Sequence, residues 1–392
     1  MKITSVKTMH ANAGWRPWTF IKIETDTGPV GWSECTDSHG SPRGIAGVVE
    51  DLAPLVVGKD PRSVSALVEL MRARTRQSPG SIIQKAMGGI ENALWDITAR
   101  VLNVPVHALF GGPLRAELPL YWSHCGTTRV RAHHLADVPR IKTKADARRF
   151  GALVRASGFR ALKTNIAVLG KEPFVYMPGF AKSAGGPERN ASREMLDALE
   201  EWIAALREGV GDVVDIILDC NFNFTAEGCV QVARRLEPYH LLWIEIDSYH
   251  PAALRMIKNA IATPLASCEN LYGLGQYYPY FEKRAMDIAS IDVIWNGWGE
   301  SRTIAAVAAL HDMNVTPHNY NGHLSTFISA QFCSLVPNLR IMEIDVDDVP
   351  WRSELFTHEP HIQKGMLTVP QGPGWGTAVN ERALKKHPWP AP

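Results

Sequence analysis

Between Leu118 and Ile344 eight short apolar runs alternate with stretches of helical periodicity, and this alternation limits the possible folds more than any other feature of the chain. The runs are Leu118 to Trp122, Ala161 to Thr164, Val214 to Leu218, Leu241 to Ile244, Pro264 to Ser267, Ile288 to Val293, Val315 to Thr316 and Leu339 to Ile344. Buried strands joined by amphipathic helices specify a parallel sheet, because each crossover helix covers one of its faces. Eight such units predict an α/β barrel. A doubly wound open sheet is the alternative, but no G-x-G-x-x-G follows a predicted strand and no Walker A sequence occurs, so nucleotide binding has no support.

The first 35 residues obey a different period. Lys2 to Thr8 and Thr19 to Thr25 alternate, a turn falls at Asp26-Thr27-Gly28, and Val30 to Cys35 reads as a third strand. From Arg43 to Val104 apolar residues recur three and four apart, as in helices. An α+β unit therefore precedes the barrel. Two stretches, Cys125 to Lys142 and Ile166 to Asn190, read as non-helical and exceed ordinary connection lengths. They are expected to be insertions that shape a site or an oligomer contact.

Of the 392 residues 45% are hydrophobic and 21% charged, which excludes a disordered chain or a coiled coil. Lys plus Arg number 41 against 40 Asp plus Glu, so no bulk field draws the chain to nucleic acid or an anionic membrane. An anionic substrate has to be met by a local site. The first residues lack the apolar run of a leader and nowhere do about 18 consecutive apolar residues occur, so a soluble, cytoplasmic protein is expected. The six cysteines carry no CxxC spacing and are expected to be reduced, buried thiols.

Chemistry concentrates at the ends of the predicted strands. Asp219 closes the third run, Glu245 the fourth, and Glu269 follows the fifth, each one βα unit from the next. On a parallel barrel such residues project into one mouth, where the active sites of these folds lie. Three close carboxylates repel unless a cation holds them, and all-oxygen ligation favours Mg2+. The series continues through Asp292, His318 and Glu343 at similar spacing. A carboxylate one unit before the histidine can orient its imidazole and raise its basicity, as a general base requires. Lys163 ends the second run and is a candidate to neutralise a substrate carboxylate.

These residues resemble the mandelate racemase subgroup of the enolase superfamily. The likeness extends to Gly31-Trp32-Ser33-Glu34, to Ile90-Glu91-Asn92-Ala93-Leu94-Trp95-Asp96 leading to Leu109-Phe110-Gly111-Gly112, and to Pro373-Gly374-Trp375-Gly376. The resemblance implies a (β/α)7β modified TIM barrel over residues 116–350. It also implies an α+β capping domain built from residues 1–115 and completed by 351–392. It further implies Mg2+-assisted removal of the proton beside a carboxylate, with Asp219, Glu245 and Glu269 as ligands. His318 would then be the base, Asp292 its partner, and Glu343 a hydrogen-bonding partner of the enediolate.

Departures from the pattern narrow the chemistry. Where racemases of the family have Lys-x-Lys, this chain has Lys163-Thr164-Asn165, which resembles the galactonate dehydratases; Asn221 replaces a second histidine found in acid-sugar dehydratases. The expected reaction is β-elimination of water from a small-molecule sugar acid, giving a 2-keto-3-deoxy acid. A racemase, epimerase or cycloisomerase using the same enediolate, and a non-catalytic binding barrel, are the alternatives. Asn165, Asn221, Trp15, Arg16, His39 and His323 are candidate substrate contacts, and His323 is a rival base. His124, Arg129 and the Trp295-Asn296-Gly297-Trp298 run are further candidates on the barrel side. The resemblance also leads us to expect a homo-oligomer.

Overall fold

The structure is a computed structural model that describes residues 1–37, 40–176 and 188–389. Alternation at the front of the chain produces an antiparallel sheet of β1 (Ile3–Asn12), β2 (Pro17–Thr25) and β3 (Val30–Glu34), in that order. Three helices pack on it: α1 (Pro42–Val56), α2 (Val64–Thr75) and α3 (Ser81–Val101). Ile21, Ile23, Val49, Leu67, Met71, Ile90 and Leu94 share their core. At Gly31 the β3 backbone lies so close to α3 that an added Cβ would sit 2.2 Å from Ala93 O and 2.6 Å from Ile97 Cγ1. Backbone atoms cannot rotate away as a side chain can. Gly31→Ala is therefore expected to cost about 3 kcal/mol, read as a lower denaturant midpoint with an unchanged slope.

The second layer is a closed barrel. Its parallel strands are β4 (Glu117–Ser123), β5 (Ala161–Asn165), β8 (Asp215–Asp219), β9 (Trp243–Glu245), β10 (Leu265–Ser267), β11 (Ile288–Ile291), β12 (Asn314–Pro317) and β13 (Met342–Asp345). A small hairpin, β6 (Ala167–Val168) with β7 (Phe174–Val175), interrupts the series. β13 pairs with β4. The ring closes between β12 and the approach to β13, where Val315 bridges Leu339 and Arg340 N donates to Val315 O. Helices Lys144–Ala156, Arg193–Val210, Ala226–Leu236, Pro251–Ala260, Leu274–Glu282, Trp298–Leu310 and His323–Leu335 connect successive strands, giving (β/α)7β. A short hairpin, β14 (Ile362–Gln363) and β15 (Met366–Thr368), adds antiparallel to the start of β4.

Inside the barrel Tyr121, Ala161, Ile217, Trp243, Ala266, Ile288 and Ile341 form a plug, with the Tyr121 and Trp243 rings edge to face at 5.7 Å. Side chains two residues apart on a strand share a face. The next inward positions are thus Ser123, Lys163, Asp219, Glu245, Ser290 and Glu343, and the sequence supplies a polar residue at every one. Cys268, at φ +91°, breaks this alternation after β10 and lets Glu269 rather than its neighbour take the mouth.

The two layers are tied by the motifs noted above. Gly322 opens the helix His323–Leu335 without a side chain to cap it, and Glu34 caps it from the other layer, accepting from Gly322 N at 2.7 Å and Ser325 N at 3.0 Å. Glu91 accepts from Gly299 N, and Asn92 from Trp298 N. The chain after β13 returns to the first layer: Trp375 N donates to Asp96, Trp375 Nε1 to Trp32 O, and His387 O accepts from Asn12 N.

Two expectations about the long connections change. The stretch 125–142 is not irregular; it holds helices Thr127–Arg131 and His133–Ala136, too short for a periodicity window to detect. In 166–190 the described part contains the β6–β7 hairpin, and residues 177–187 fall outside the described residues. All six cysteines are free and buried. Among the described residues no helix is long and apolar enough to cross a membrane.

Candidate active site

The polar strand ends meet in one buried cluster at the C-terminal mouth of the barrel. Lys163 Nζ lies 3.0 Å from Glu343 Oε1, 3.2 Å from Glu245 Oε2 and 3.8 Å from Asp219 Oδ2. Ser290 donates to the second oxygen of Glu245 at 2.9 Å, and Asn221 N to Asp219 Oδ1 at 2.8 Å. Across the mouth His318 Nδ1 sits 2.7 Å from Asp292 Oδ2, and its Nε2 is 3.7 Å from Glu269 Oε2. The other oxygen of Asp292 accepts from Trp295 N, so this carboxylate also caps the short helix Val293–Asn296 and is held in place from both sides.

Charge is unbalanced here. Asp219, Glu245, Asp292, Glu343 and also Asp247 are buried, with Glu269 half-buried beside them, around the Lys163 ammonium and the His318 imidazole. Burial, reinforced by Glu245 and Glu269, pushes Asp219 up to about 8 despite Lys163. Burial and the carboxylates of Glu269, Asp219 and Glu245 likewise push Asp247 well up. Burial alone would lower His318, yet Glu269, Asp292 and Glu343 together lift it to about 10. Glu343 goes the other way: burial would raise it, but Lys163, His318, Ser123 and the Asn319 amide hold it down near 2.

An excess of buried carboxylate oxygen suits a hard divalent cation. Asp219, Glu245 and Glu269 are the donors expected from the sequence. Among the described residues no three His, Cys, Asp or Glu side chains are grouped so that they could hold a metal ion as they stand, and Lys163 takes up part of the carboxylates' charge.

Other candidates fall into distinct places. Asn165 Nδ2 donates to Asn221 Oδ1 at 3.1 Å, so the two amides are joined to each other. Trp15 and Arg16 reach the barrel from the capping layer but engage protein groups: Trp15 Nε1 donates to the Tyr320 hydroxyl at 2.7 Å and Arg16 pairs with Asp348 at 2.8 Å, fully buried. Arg16 is thus a structural cation here, corrected from a direct substrate contact. His323 packs its ring against Phe356, and Arg352 is the charge that acts on it. Arg129 forms a two-point ion pair with Asp347. Trp295 lies 5.1 Å from the His318 ring, whereas Trp298 packs on Trp375 and Phe110, and Asn296 bonds backbone groups. His39 lies outside the described residues. Glu343, expected to hydrogen-bond an enediolate, accepts here from Ser123 Oγ and Asn319 N and pairs with Lys163. Asp247 and Tyr320 were missed, although each lies only two residues beyond a strand-end group.

Comparison with known proteins decides the family. Residues 2–111 match the model of the mandelate racemase/muconate lactonizing enzyme N-terminal domain, and residues 145–383 match the enolase C-terminal domain-like model. The chain belongs to the mandelate racemase/muconate lactonizing enzyme family of the enolase superfamily. It is 27% identical to the D-xylonate dehydratase of Haloferax volcanii, over 98% of this chain and 89% of that one. It is also 27% identical to the D-galactonate dehydratase of Xanthomonas oryzae pv. oryzae, over 98% and 94%. A solved structure from Burkholderia xenovorans strain LB400, provisionally named an L-alanine-DL-glutamate epimerase, superposes with a TM-score of 0.96 at 42% identity over 99% of this chain and 98% of its own. A second structure of the same name holds magnesium and fumarate and is 43% identical, with a TM-score of 0.95 over 99% and 96% of the two chains. This member of the family is an enolase-superfamily enzyme.

Proposed function

We propose that this enzyme dehydrates a sugar acid, abstracting the proton at C2 and expelling the hydroxyl at C3. One observation carries the choice: among the described residues His318 is the one imidazole of the mouth hydrogen-bonded to a carboxylate, while Asn165 and Asn221, at the positions where relatives of the family carry a second base, are amides bonded to each other. Asp219, Glu245 and Glu269 would hold Mg2+, which when bound supplies Lewis-acid stabilisation to the substrate carboxylate. The magnesium of the Burkholderia structure supports the metal, and its fumarate supports a carboxylate ligand.

The chain's own groups do the rest. With Nδ1 fixed by Asp292, and with the charge of Glu269 taken up by a bound cation instead of by the imidazole, His318 in its neutral form would present Nε2 to the substrate and remove the C2 proton. The same proton then goes to the departing C3 hydroxyl as the C3–O bond breaks, releasing water from the same face. The enol that remains gives up its C2 hydroxyl proton to solvent, takes a proton from solvent at C3 and becomes the 2-keto-3-deoxy acid. Lys163, kept as an ammonium by three carboxylates, places fixed positive charge beside the developing enediolate. Glu343 anchors that ammonium.

Lys163→Met is expected to lower kcat/KM by about 10²- to 10³-fold with the fold unchanged. Near wild-type kcat/KM would make Lys163 a structural residue. Sugar acids incubated with Mg2+ and assayed for 2-keto product test the reaction itself. The second reading is epimerisation, favoured by the name of the Burkholderia structure and by Lys163 standing in the same mouth. Accumulation of C2-inverted acid in D2O without keto product would replace dehydration by that reading.

A further inference from the structure

One imidazole at the rim of the barrel has no part in the proposed reaction. His124 follows the last residue of β4, and its backbone is held on both sides: its carbonyl accepts from Thr128 N at 3.1 Å, and the next amide, Cys125 N, donates to Lys163 O at 2.8 Å. At φ +45° it breaks the alternation of the strand. Its ring lies 4.1 Å from that of Tyr320, and Lys163 and His318 are close enough for their charges to act on it, which places it at the same mouth. In the closed ring of strands β4 stands four places from β10 by either route, so His124 and Glu269 lie on opposite sides of that mouth.

Neighbouring groups fix the chemistry that this ring offers. Nδ1 lies 3.3 Å from Ser123 Oγ, and the single proton of that hydroxyl is given to Glu343. Toward the imidazole the serine can therefore only accept, which puts the ring proton on Nδ1 and leaves Nε2 with a lone pair. Burial, followed by the charges of Arg131, Lys163 and Arg16, holds His124 well below its ordinary value, so the ring stays neutral. Asp345, the nearest carboxyl, is 3.7 Å from Nδ1, beyond hydrogen-bond length. Among the described residues no hydrogen bond reaches Nε2. An acceptor in a buried side chain is costly when left without a donor, and a ligand hydroxyl would satisfy it.

We propose that His124 is a specificity residue that accepts, through Nε2, from the C4 hydroxyl of the substrate, one carbon beyond the position that loses water. The proposal rests on the proposed function in taking the C1 carboxylate to be bound on the Asp219, Glu245 and Glu269 side. C2 and C3 then meet His318, and the carbon chain continues toward β4. A hydroxyl can donate to the Nε2 lone pair, whereas a methyl group or a carboxylate in its place cannot.

The test is calorimetric titration, with Mg2+ present, of 4-hydroxybutanoate against pentanoate, which carries a methyl group where the first has its hydroxyl. Neither has a C3 hydroxyl to lose, so binding is read apart from the reaction. The wild type is expected to bind 4-hydroxybutanoate about tenfold more tightly than pentanoate. His124→Asn suits the left-handed backbone and keeps a polar atom in the place of Nδ1 but none in that of Nε2, and it should bring the ratio within about twofold. His124→Gln reaches the place of Nε2 and should restore the ratio to about fivefold. Equal affinities in the wild type overturn the assignment, as does a ratio unmoved in His124→Asn. A tenfold preference that His124→Asn removes, in a protein that yields keto product from no sugar acid, would keep the hydroxyl site and overturn the dehydration. Keto product together with equal affinities would keep the dehydration and overturn the site.

Discussion

His318→Asn is expected to abolish both C2 proton exchange and keto-acid formation, each by about four orders of magnitude, because one imidazole acts first as base and then as acid. Asparagine preserves a polar group of similar reach toward Asp292 but cannot accept a proton near neutral pH. The two activities are measured separately, exchange by loss of the C2 proton signal in D2O and elimination by the 2-keto product. Their joint loss is the point of the experiment. If exchange survives in the variant while elimination stops, a second group removes the proton, and Lys163 is then the group placed to do it. The enzyme would be an epimerase with a base on each face. If elimination survives, His318 is not in the reaction at all.

The prediction depends on Lys163 being an ammonium, and that is a matter of contacts, not of sequence position. Three carboxylates lie within 4 Å of its nitrogen, and together they raise it well above its ordinary value against the effect of burial. Asn165, two residues on, is engaged by Asn221. No charge-neutral amine is left poised over the substrate in this arrangement.

Much of the mouth is legible in the sequence because a barrel repeats. A strand end recurs about every 25 residues, so Asp219, Glu245, Glu269, Asp292, His318 and Glu343 declare themselves by spacing, and the parallel barrel gathers them at one rim. What spacing does not carry is protonation and orientation. Glu343 reads as a strand-end acid; only the contacts with Lys163, Ser123 and Asn319 N show what draws its pKa down. Tyr320 is engaged by Trp15 and Arg16 across some 300 residues of chain, and no local pattern links those positions. The short helices at Thr127–Arg131 and His133–Ala136 were missed for the opposite reason: they are too brief to show a period. The capping motifs were recognised as family marks, yet their work is mechanical. Glu34, Glu91, Asn92 and Asp96 supply acceptors to backbone amides of the other layer or the returning tail, where sequence reading offers no reason to place an acid.

Glu245→Gln tests the carboxylate site without removing an atom of bulk. Gln keeps an oxygen to accept from Ser290 and keeps the side-chain length, so the barrel below it should remain packed. It removes one negative charge from the set that would bind Mg2+, and a hard dication loses both Coulomb attraction and an anionic oxygen. Mg2+ affinity measured by calorimetry is expected to fall by about 100-fold, roughly the 2.7 kcal/mol of two decades in Kd, and turnover to fall with it. The affinity is read without substrate, so it does not depend on which reaction the enzyme performs. The lost charge also frees Lys163 from its contact at 3.2 Å, leaving the ammonium to Glu343 and Asp219. Competition between that ammonium and Mg2+ for Asp219 then sharpens, which adds to the loss. Unchanged Mg2+ affinity in Glu245→Gln would take Glu245 out of the ligand set. The acidic cluster would then be an ion-pair network around Lys163, and the enediolate would have to be stabilised by that lysine alone.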